Sequence, residues 1–336
     1  LYTFLIATFE ILAVLVFLGC FVFFCRRNFL KLKRLASKDL DGWPRSDANY
    51  ILITEMALMT AFLFMNAADV RLQAMHFSHY DIGLSQAAFP VSRFLSSLYG
   101  DASSASLVMA ERFTWWFHIT GIMAFLNYLP YSKHFHIILA FPNTFFSNLK
   151  PKGEFTNLAS VTTEVKAMLD PSFTPPPPPA TPQRFGAKDV QDLTWKQLMD
   201  AYSCTECGRC TSSCPANITG KKLSPRVIMM KTRDRVEEVG KNRDANKGKF
   251  VDDGKSLLND YITPEELWAC TSCNACVQEC PVNIDPLSII VDMRRYLVME
   301  ESAAPAELNM MMTNIENNAA PWQFSPADRL NWANEQ

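Results

Sequence analysis

Three predominantly apolar stretches lie in the first 150 residues, and charged or polar segments separate them. They run from about residue 1 to 25, 49 to 68 and 113 to 141. A helix rises about 1.5 Å per residue, so stretches of this length can cross a hydrocarbon core of roughly 30 Å. The first stretch lacks the basic start and the small-residue cleavage site of a signal peptide. The pattern therefore predicts a membrane domain over 1–150 with three transmembrane helices.

The charges beside these stretches predict an orientation. The segment that follows the first stretch is rich in basic residues: Arg26, Arg27, Lys31, Lys33, Arg34, Lys38 and Arg45. The loop 69–112 contains only Arg71, Arg93 and Arg112. By the positive-inside rule the 26–48 segment is cytoplasmic, and an odd number of spans returns the chain to the cytoplasm. We therefore expect a multi-pass protein of the cytoplasmic membrane whose C-terminal half is cytoplasmic. Because the chain begins with Leu1 instead of methionine, we also expect residues to precede it.

The two halves are joined by a proline-rich linker, which we place at 151–193. It contains the run PSFTPPPPPATP, in which Pro175 to Pro179 are consecutive prolines. Such a run forms a stiff extended spacer or stays disordered, and neither state has a packed core. Beyond the linker no segment alternates as a strand does, so the predicted fold class is all-α. Lys and Arg total 32 against 34 Asp and Glu, which indicates no nucleic-acid partner.

Eight of the ten cysteines lie between 204 and 280, in two copies of one pattern. The copies are CTECGRCTSSCP, starting at Cys204, and CTSCNACVQECP, starting at Cys270. Both read C-x2-C-x2-C-x3-C-P, the spacing of bacterial ferredoxins that hold [4Fe–4S] clusters. A reducing cytoplasm argues against disulfides, and zinc sites usually lack the regular third and fourth cysteine. The remaining two, Cys20 and Cys25, lie in the first apolar stretch and are interpreted as small apolar side chains.

Helix start signals flank both cysteine runs. Thr194 and Gln197, and likewise Thr263 and Glu266, have capping-box spacing, and Ser224-Pro225 and Asp285-Pro286 each look like an N-cap followed by proline. Each run is thus a loop between helices, and 194–300 is a helical domain for two clusters. In two-cluster proteins the fourth cysteine of one run ligates the other cluster. The predicted ligand sets are Cys204, Cys207, Cys210 and Cys280 for one cluster, and Cys270, Cys273, Cys276 and Cys214 for the other.

The region from about 190 to 336 resembles the C subunit of heterodisulfide reductase and related membrane-linked iron–sulfur oxidoreductases, including the anchor subunit of anaerobic glycerol-3-phosphate dehydrogenase. The stretch LWACTSCNACVQECPVNIDPLSIIVDMRRYLVMEE carries this resemblance. The tail NIENNAAPWQFSPADRLNWANE is similar to the segment that leads into a cysteine-rich CCG domain in single-chain relatives. The resemblance implies that a separate CCG-domain protein, similar to the B subunit of heterodisulfide reductase, docks on 301–336.

The segment from His118 to His136 resembles the last helix of the cytochrome b (gamma) subunit of respiratory nitrate reductase. That family ligates two b haems from this helix. A helix that continued straight through Pro130 would place His118 and His136 about 27 Å apart, whereas a kink at this proline would change their positions. The second stretch offers no histidine partner, so the remaining expectation is one haem held by His76 and His118. Alternatively, His118, His134 and His136 are relics, interfacial anchors or part of a quinone pocket. Lys133 is interpreted as a snorkelling lysine, or as a contact for a quinone or lipid head group.

The sequence contains no nucleotide-binding glycine loop, nucleophile triad or paired-carboxylate site. The predicted function is therefore an electron-transfer subunit of an oxidoreductase, with no catalytic site of its own. It would pass electrons between a cytoplasmic CCG-domain or flavoprotein subunit and membrane quinone. Two alternatives stay open. One is the membrane anchor of a flavin dehydrogenase without a CCG-domain partner, and the other is a non-redox scaffold stapled by metal.

Overall fold

The computed structural model describes residues 1–81, 86–177 and 184–334. Over these ranges the chain is helical and contains no β-strand, which confirms the predicted all-α fold. The α-helices are α1 (Tyr2–Asn28), α2 (Trp43–Ala74), α3 (Ser92–Leu95), α4 (Ser104–Tyr128), α5 (His136–Phe145), α6 (Ala159–Leu169), α7 (Trp195–Ser203), α8 (Arg209–Ser212), α9 (Pro215–Ile218), α10 (Pro225–Ala245), α11 (Pro264–Trp268), α12 (Ala275–Gln278), α13 (Pro286–Met299), α14 (Ala306–Asn318) and α15 (Asn331–Asn334). Short 3-10 turns and one π-helical turn, Leu257–Tyr261, connect them.

The chain forms two compact units whose boundary differs from the predicted one. The N-terminal unit comprises Leu1–Phe146 together with Tyr202–Ser212, and the C-terminal unit comprises the remaining described residues. The first cysteine run therefore packs largely with the N-terminal unit, although its sequence pattern belongs to 194–300. The predicted linker is also more ordered than expected, because α6 lies inside it. Pro178 and Pro179 lie outside the described residues.

Helix α1 has its polarity inverted relative to a helix of a water-soluble protein. Its buried residues are Glu10 and Ala13, whereas large apolar residues such as Phe4, Leu15 and Phe23 are exposed. A helix that turns apolar side chains outward and a carboxylate inward matches a lipid surrounding. Two of the described helices, α1 and α2, are long and apolar enough to cross a membrane. These two confirm the first and second predicted stretches as candidate spans.

The third predicted stretch differs from the structure. Helix α4 begins at Ser104, before the predicted start at 113, so it includes the charged residues Glu111 and Arg112. It ends at Tyr128, and two 3-10 turns separate it from α5. The continuous helix expected over 113–141 is therefore wrong, since Pro130 interrupts the hydrogen-bond ladder. The count of three spans stays a prediction.

Packing in the N-terminal unit centres on α2, which contacts both α1 and α4. Gly121 of α4 allows a close approach, because a Cβ atom there would lie 2.5 Å from Cδ2 of Leu58. Glu10 of α1 accepts hydrogen bonds from Nδ2 of Asn66 at 3.0 Å and from the backbone N–H groups of Val91 and Ser92. The buried carboxylate thus ties α1 to α2 and to the start of α3.

The core of the C-terminal unit lies between α10 and α13, which contribute buried residues such as Met229, Ile289 and Met293. Beside it, the fully buried guanidinium of Arg235 forms ion pairs with Asp189 at 2.8 Å and Asp253 at 2.6 Å. These contacts tie α10 to the segment before α7 and to the loop before the π-helical turn. A buried charge paired on two sides in this way holds together segments that are far apart in the sequence.

Candidate metal centre

The two cysteine runs fold into matching loops. In the first run Glu206 and Gly208 have positive φ angles of 58° and 75°, and in the second run Ser272 and Asn274 have 57° and 59°. These residues occupy the same two positions relative to the first cysteine of each run. Left-handed backbone turns the chain sharply, so each loop can direct its first three cysteines toward one side. The repeat seen in the sequence is therefore also a repeat of backbone conformation.

The predicted helix start signals lie before and after the cysteine loops in the structure. The second capping box is present, with Glu266 N–H donating to Oγ1 of Thr263 at 3.3 Å and Thr263 N–H donating to Glu266 at 2.8 Å. Thr194 and Gln197 exchange the same two hydrogen bonds. Asp285 caps α13 by accepting from Ser288 N–H at 3.0 Å. Pro225 opens α10 as expected, although the side chain of Ser224 makes no capping hydrogen bond.

One of the predicted ligand sets lies wholly in the C-terminal unit, and the structure brings Cys214 near Cys270. Cys214 and Cys273 lie close enough to Cys270 to affect its pKa. Burial is the main cause of the raised pKa of Cys270, and these neighbours raise it further, while Ser272 N–H and Arg294 oppose the rise. Cys276 is buried and Cys273 is exposed. Cys214 thus sits with the second run, as cross-ligation requires.

The other predicted set is divided between the two units. Cys204, Cys207 and Cys210 belong to the N-terminal unit, whereas Cys280 belongs to the C-terminal unit. Cys280 accepts a hydrogen bond at Sγ from Ile284 N–H at 3.3 Å, as Cys270 does from Ser272 N–H at 3.4 Å. Backbone donors of this kind favour the thiolate form that iron binds. The pairing of Cys280 with the first run stays a prediction.

The surroundings of the cysteines are compatible with [4Fe–4S] clusters. None of the ten cysteines, all of which the structure describes, forms a disulfide. The described residues contain no group of three or more His, Cys, Asp or Glu side chains placed to share one metal ion. A cubane spreads its thiolates over separate irons, so it needs a wider arrangement. The hydroxyl of Ser203, which precedes Cys204, is buried without a hydrogen-bond partner in the described structure. A cluster sulfur beside Cys204 would accept that hydrogen bond.

Arg294 of α13 holds the second loop in place. Its Nε donates to the carbonyl of Leu267 at 3.0 Å, and its terminal nitrogens donate to the carbonyl of Cys270 and to Oγ of Ser272. The guanidinium carbon lies 4.9 Å from the centroid of the Trp268 ring. Burial lowers the pKa of Arg294, and the Cys270 thiolate opposes this effect. A planar guanidinium suits this combination of stacking and forked donation.

The predicted histidine site is not assembled. His118 lies within α4, and its Nδ1 is 2.9 Å from the carbonyl oxygen of Leu58 on α2. His76 lies beyond the end of α2, is 79% exposed and pairs with Asp81 at 3.0 Å. The helical distance from Leu58 to the end of α2 is about 24 Å, so His76 cannot face His118. One haem between these residues is therefore a wrong prediction.

The other histidines do not replace His76. His136 begins α5, beyond the break at Pro130, and its Nδ1 is 2.8 Å from the carbonyl oxygen of Lys133. His134 lies beside it, with ring centroids 6.0 Å apart. His79 is near His76 in the turn after α2. The five histidines of this chain thus provide no second axial ligand opposite His118, and haem b does not fit the residues present.

Lys133 lies in an environment that its sequence neighbours did not predict. Its side chain is only 8% exposed, and its ammonium donates to the carbonyl of Pro44 and to the carboxylate of Glu206. The interpretations as a snorkelling lysine or as a quinone or lipid contact are therefore wrong. Glu206 lies between Cys204 and Cys207 and is 1% exposed. The only sequence signal was an acid inside a cysteine loop, and it named no partner because Lys133 is 73 residues away.

Known proteins share both halves of the chain. Residues 203–284 match the family model of a 4Fe–4S dicluster domain. The EtfAB:quinone oxidoreductase of Syntrophomonas wolfei is 30% identical over 97% of this chain and 45% of its own length. A probable membrane-anchored ferredoxin of Chromohalobacter salexigens is 35% identical over 44% of this chain and 24% of its own length. The C subunit of the ferredoxin/F(420)H(2)-dependent CoB-CoM heterodisulfide reductase of Methanosarcina acetivorans is 34% identical over 35% of this chain and 60% of its own length.

The chain spans about half the length of the curated relatives that it matches from end to end. No solved structure matches it. The resemblance to the nitrate reductase gamma subunit stays a prediction, whereas the resemblance to heterodisulfide reductase is confirmed. The chain therefore carries a 4Fe–4S dicluster domain and is a homologue of the C and D subunits of heterodisulfide reductases and of a membrane-anchored ferredoxin.

Proposed function

We propose that this chain is the membrane-anchored electron-transfer part of an oxidoreductase, passing electrons between a cytoplasmic redox partner and membrane quinone. The observation that carries the proposal is the pair of matching cysteine loops, with Cys214 close enough to Cys270 to affect its pKa. Only a two-cluster arrangement needs the fourth cysteine of one run near the first cysteine of the other. A metal-stapled scaffold needs no such exchange, so it is the weaker alternative.

The residues of the chain have separate roles in this function. Cys204, Cys207, Cys210 and Cys280 would hold one [4Fe–4S] cluster, and Cys270, Cys273, Cys276 and Cys214 the other. When bound, the clusters supply one-electron transfer. The protein contributes two loops of matching conformation and backbone N–H donors to sulfur. It also contributes the hydrogen bonds by which Arg294 holds the second loop. Ligands held in this way would keep the reorganisation energy of electron transfer small.

The membrane-side acceptor is a quinone. The relative named EtfAB:quinone oxidoreductase supports this assignment, and α1 and α2 provide the attachment to the membrane. One quinone takes up two electrons and two protons to become a quinol, so the chain must deliver two electrons in succession for each turnover. We place the first cysteine run on the membrane side because it packs within the N-terminal unit.

The cytoplasmic partner is a CCG-domain or flavoprotein subunit, and its docking surface is 301–336. Seven large apolar side chains are exposed in the described part of this segment: Met310, Met312, Ile315, Trp322, Phe324, Leu330 and Trp332. Exposed aromatic and methionine side chains are typical of protein interfaces. A pull-down between the full chain and each candidate partner, with Trp322→Ser as the variant, tests this assignment.

The central test is metal analysis and redox spectroscopy of the anaerobically purified chain. We expect about eight irons and eight labile sulfides per chain, and two reducible S = 1/2 EPR signals. In lipid vesicles that contain a menaquinone or a ubiquinone, the reduced chain should be reoxidised by the quinone. Zinc in place of iron, or clusters that cannot be reduced, would refute the electron-transfer role. Reducible clusters that quinone does not oxidise would refute the quinone assignment alone.

A further inference from the structure

The first cysteine loop is fixed to the N-terminal unit by a buried ion pair. Glu206 accepts a hydrogen bond from the ammonium of Lys133, and the two side chains are 1% and 8% exposed. Lys133 also donates to the backbone carbonyl of Pro44, at the start of α2. Both ends of the pair are therefore immobilised, one in the cysteine loop and one in the turn that follows α4.

Asp47 holds that turn in a single conformation. Its carboxylate accepts from Oγ of Ser132 at 2.8 Å, from the backbone N–H of Lys133 at 3.0 Å and from the hydroxyl of Tyr128. A carboxylate with three donors fixes the backbone from which the Lys133 side chain extends. The backbone of Lys133 is thus held by Asp47 of α2, independently of the contact between its ammonium and Glu206.

A second contact supports the same attachment. Helix α8, which carries Cys210, packs against the 3-10 turn Lys33–Leu35 in the segment between α1 and α2. The first loop therefore contacts the N-terminal unit on the α8 side as well as at Glu206. In the second loop, Ser272 takes the position of Glu206 and accepts from Arg294 of the same unit. The two copies of the motif have the same backbone but different charges at this position.

The charges of the pair matter for redox chemistry. Reduction adds one negative charge to a cluster, so a nearby cation favours the reduced form and a nearby anion disfavours it. Inside a protein these effects are strong because the effective dielectric constant is low. Charge and hydrogen bonds near the sulfurs are among the factors that set cluster potentials. Glu206, between two ligands, would lower the potential, and Lys133 compensates for its charge.

We propose that the Lys133–Glu206 pair is an electrostatic lock that positions the first cysteine loop on the N-terminal unit and sets the reduction potential of the cluster bound by Cys204, Cys207 and Cys210. This inference rests on the proposed function. It assigns opposite effects to two positioning residues. Lys133 raises the potential of this cluster, Glu206 lowers it, and neither acts on the cluster of the second run.

The test is an EPR-monitored redox titration of the anaerobically purified full chain. Cys207→Ser and Cys273→Ser variants first assign the two signals to the first and second runs. Lys133→Met should then lower the midpoint potential of the first-run signal, and Glu206→Gln should raise it. The double variant should return close to the wild-type value, and Lys133→Arg should retain it. Lys150→Met is the matched control, because Lys150 pairs with Glu154 on an exposed surface.

The opposite signs separate an electrostatic role from a merely structural one. If the substitutions only loosened the loop, the midpoint potentials of both single variants would shift in the same direction, both titrations would broaden, or both variants would lose iron. Any of these results would overturn the proposal. An unchanged first-run potential in all variants would overturn it as well, as would shifts confined to the second-run signal. If the wild type holds two reducible clusters and the variants do not shift, this inference fails while the proposed function stands.

Discussion

Cys214, the last cysteine of the first run, lies close enough to Cys270, the first cysteine of the second run, for their charges to interact. The two residues belong to different copies of the motif and are brought together by the fold. Cys214 is the N-cap residue of α9, with Pro215 in the first turn, so the chain turns away from the first loop at this point. An exchange of ligands between the two runs would require such a relationship.

We expect Cys214→Ser to remove or alter the EPR signal of the second run and to leave that of the first run largely intact. A serine oxygen binds cluster iron more weakly than a thiolate, so the affected cluster loses its fourth ligand. Iron content should fall by about half if the cluster is lost. Cys207→Ser is the reciprocal control and should affect the first-run signal. Loss of the first-run signal in Cys214→Ser would show that the ligands are not exchanged.

The buried hydroxyl of Ser203 predicts a change of potential without loss of metal. It has no hydrogen-bond partner among the described residues, and it precedes a predicted ligand. If it donates to the cluster of the first run, Ser203→Ala should lower the midpoint potential of that cluster and leave the iron content unchanged. Ser203→Thr should retain the wild-type value. Ser212→Ala is the control, since the Ser212 hydroxyl donates to the carbonyl of Arg209. Equal midpoint potentials in all variants would exclude a hydrogen bond from Ser203 to the cluster.

Arg294→Lys should make the cluster of the second run labile. A lysine cannot stack on Trp268 and at the same time donate to the carbonyls of Leu267 and Cys270. A lost hydrogen bond to a charged group costs about 1.5–3 kcal/mol, so the loop should open more often. The measurement is the rate at which a chelator bleaches each cluster. Arg295→Lys, next to it on α13, is the control, and equal rates in both variants would argue against a specific clamp.

Arg235→Met should lower the thermal stability of the chain. Removing one partner from a buried ion pair typically costs about 3–5 kcal/mol, because Asp189 and Asp253 lose their cation. Differential scanning fluorimetry of the detergent-solubilised chain would measure the change. Lys241→Met, at an exposed position of α10, is the matched control. Equal melting temperatures for the two variants would mean that the site does not stabilise the fold.

The same site predicts acid sensitivity. Hydrogen bonds from Arg235 lower the pKa of Asp253, and the Tyr261 hydroxyl is the main cause of the lowered pKa of Glu238. A carboxylate whose folded-state pKa is depressed stabilises the fold above its unfolded-state pKa of about 4. That contribution is lost as the pH falls through the lower folded-state pKa. The melting temperature should therefore fall more steeply below about pH 4 in the wild type than in Asp253→Asn, and parallel profiles would contradict this prediction.

The number of spans can be tested with reporter fusions at Gly100 and Gly153. With three spans, α4 crosses the membrane between these residues, so the two reporters should lie on opposite sides, with Gly153 in the cytoplasm. With the two spans α1 and α2 alone, both reporters would lie on one side. A reporter at Gly42, in the basic segment between α1 and α2, provides the cytoplasmic reference.

Those features that depend on neighbouring residues could be predicted from the sequence. The spacing of the cysteines predicted two matching loops, and the capping residues predicted the start of the helix that precedes each loop, because ligand spacing and capping act within about one turn of chain. The same holds for α1 and α2, whose apolar composition is a local property. Pro130 was also visible as a break, although its effect on the path from His118 to His136 was underestimated.

Contacts between distant segments were decided by the tertiary structure alone. His76 and His118 are separated because α2 continues about 24 Å beyond the turn that His118 contacts. Lys133 is buried because Pro44 and Glu206 approach it from segments 89 and 73 residues away. For the same reason the first cysteine loop packs with the N-terminal unit, although its sequence repeats the second loop. The local pattern determines which ligands a loop offers, whereas packing and buried charge determine what surrounds them.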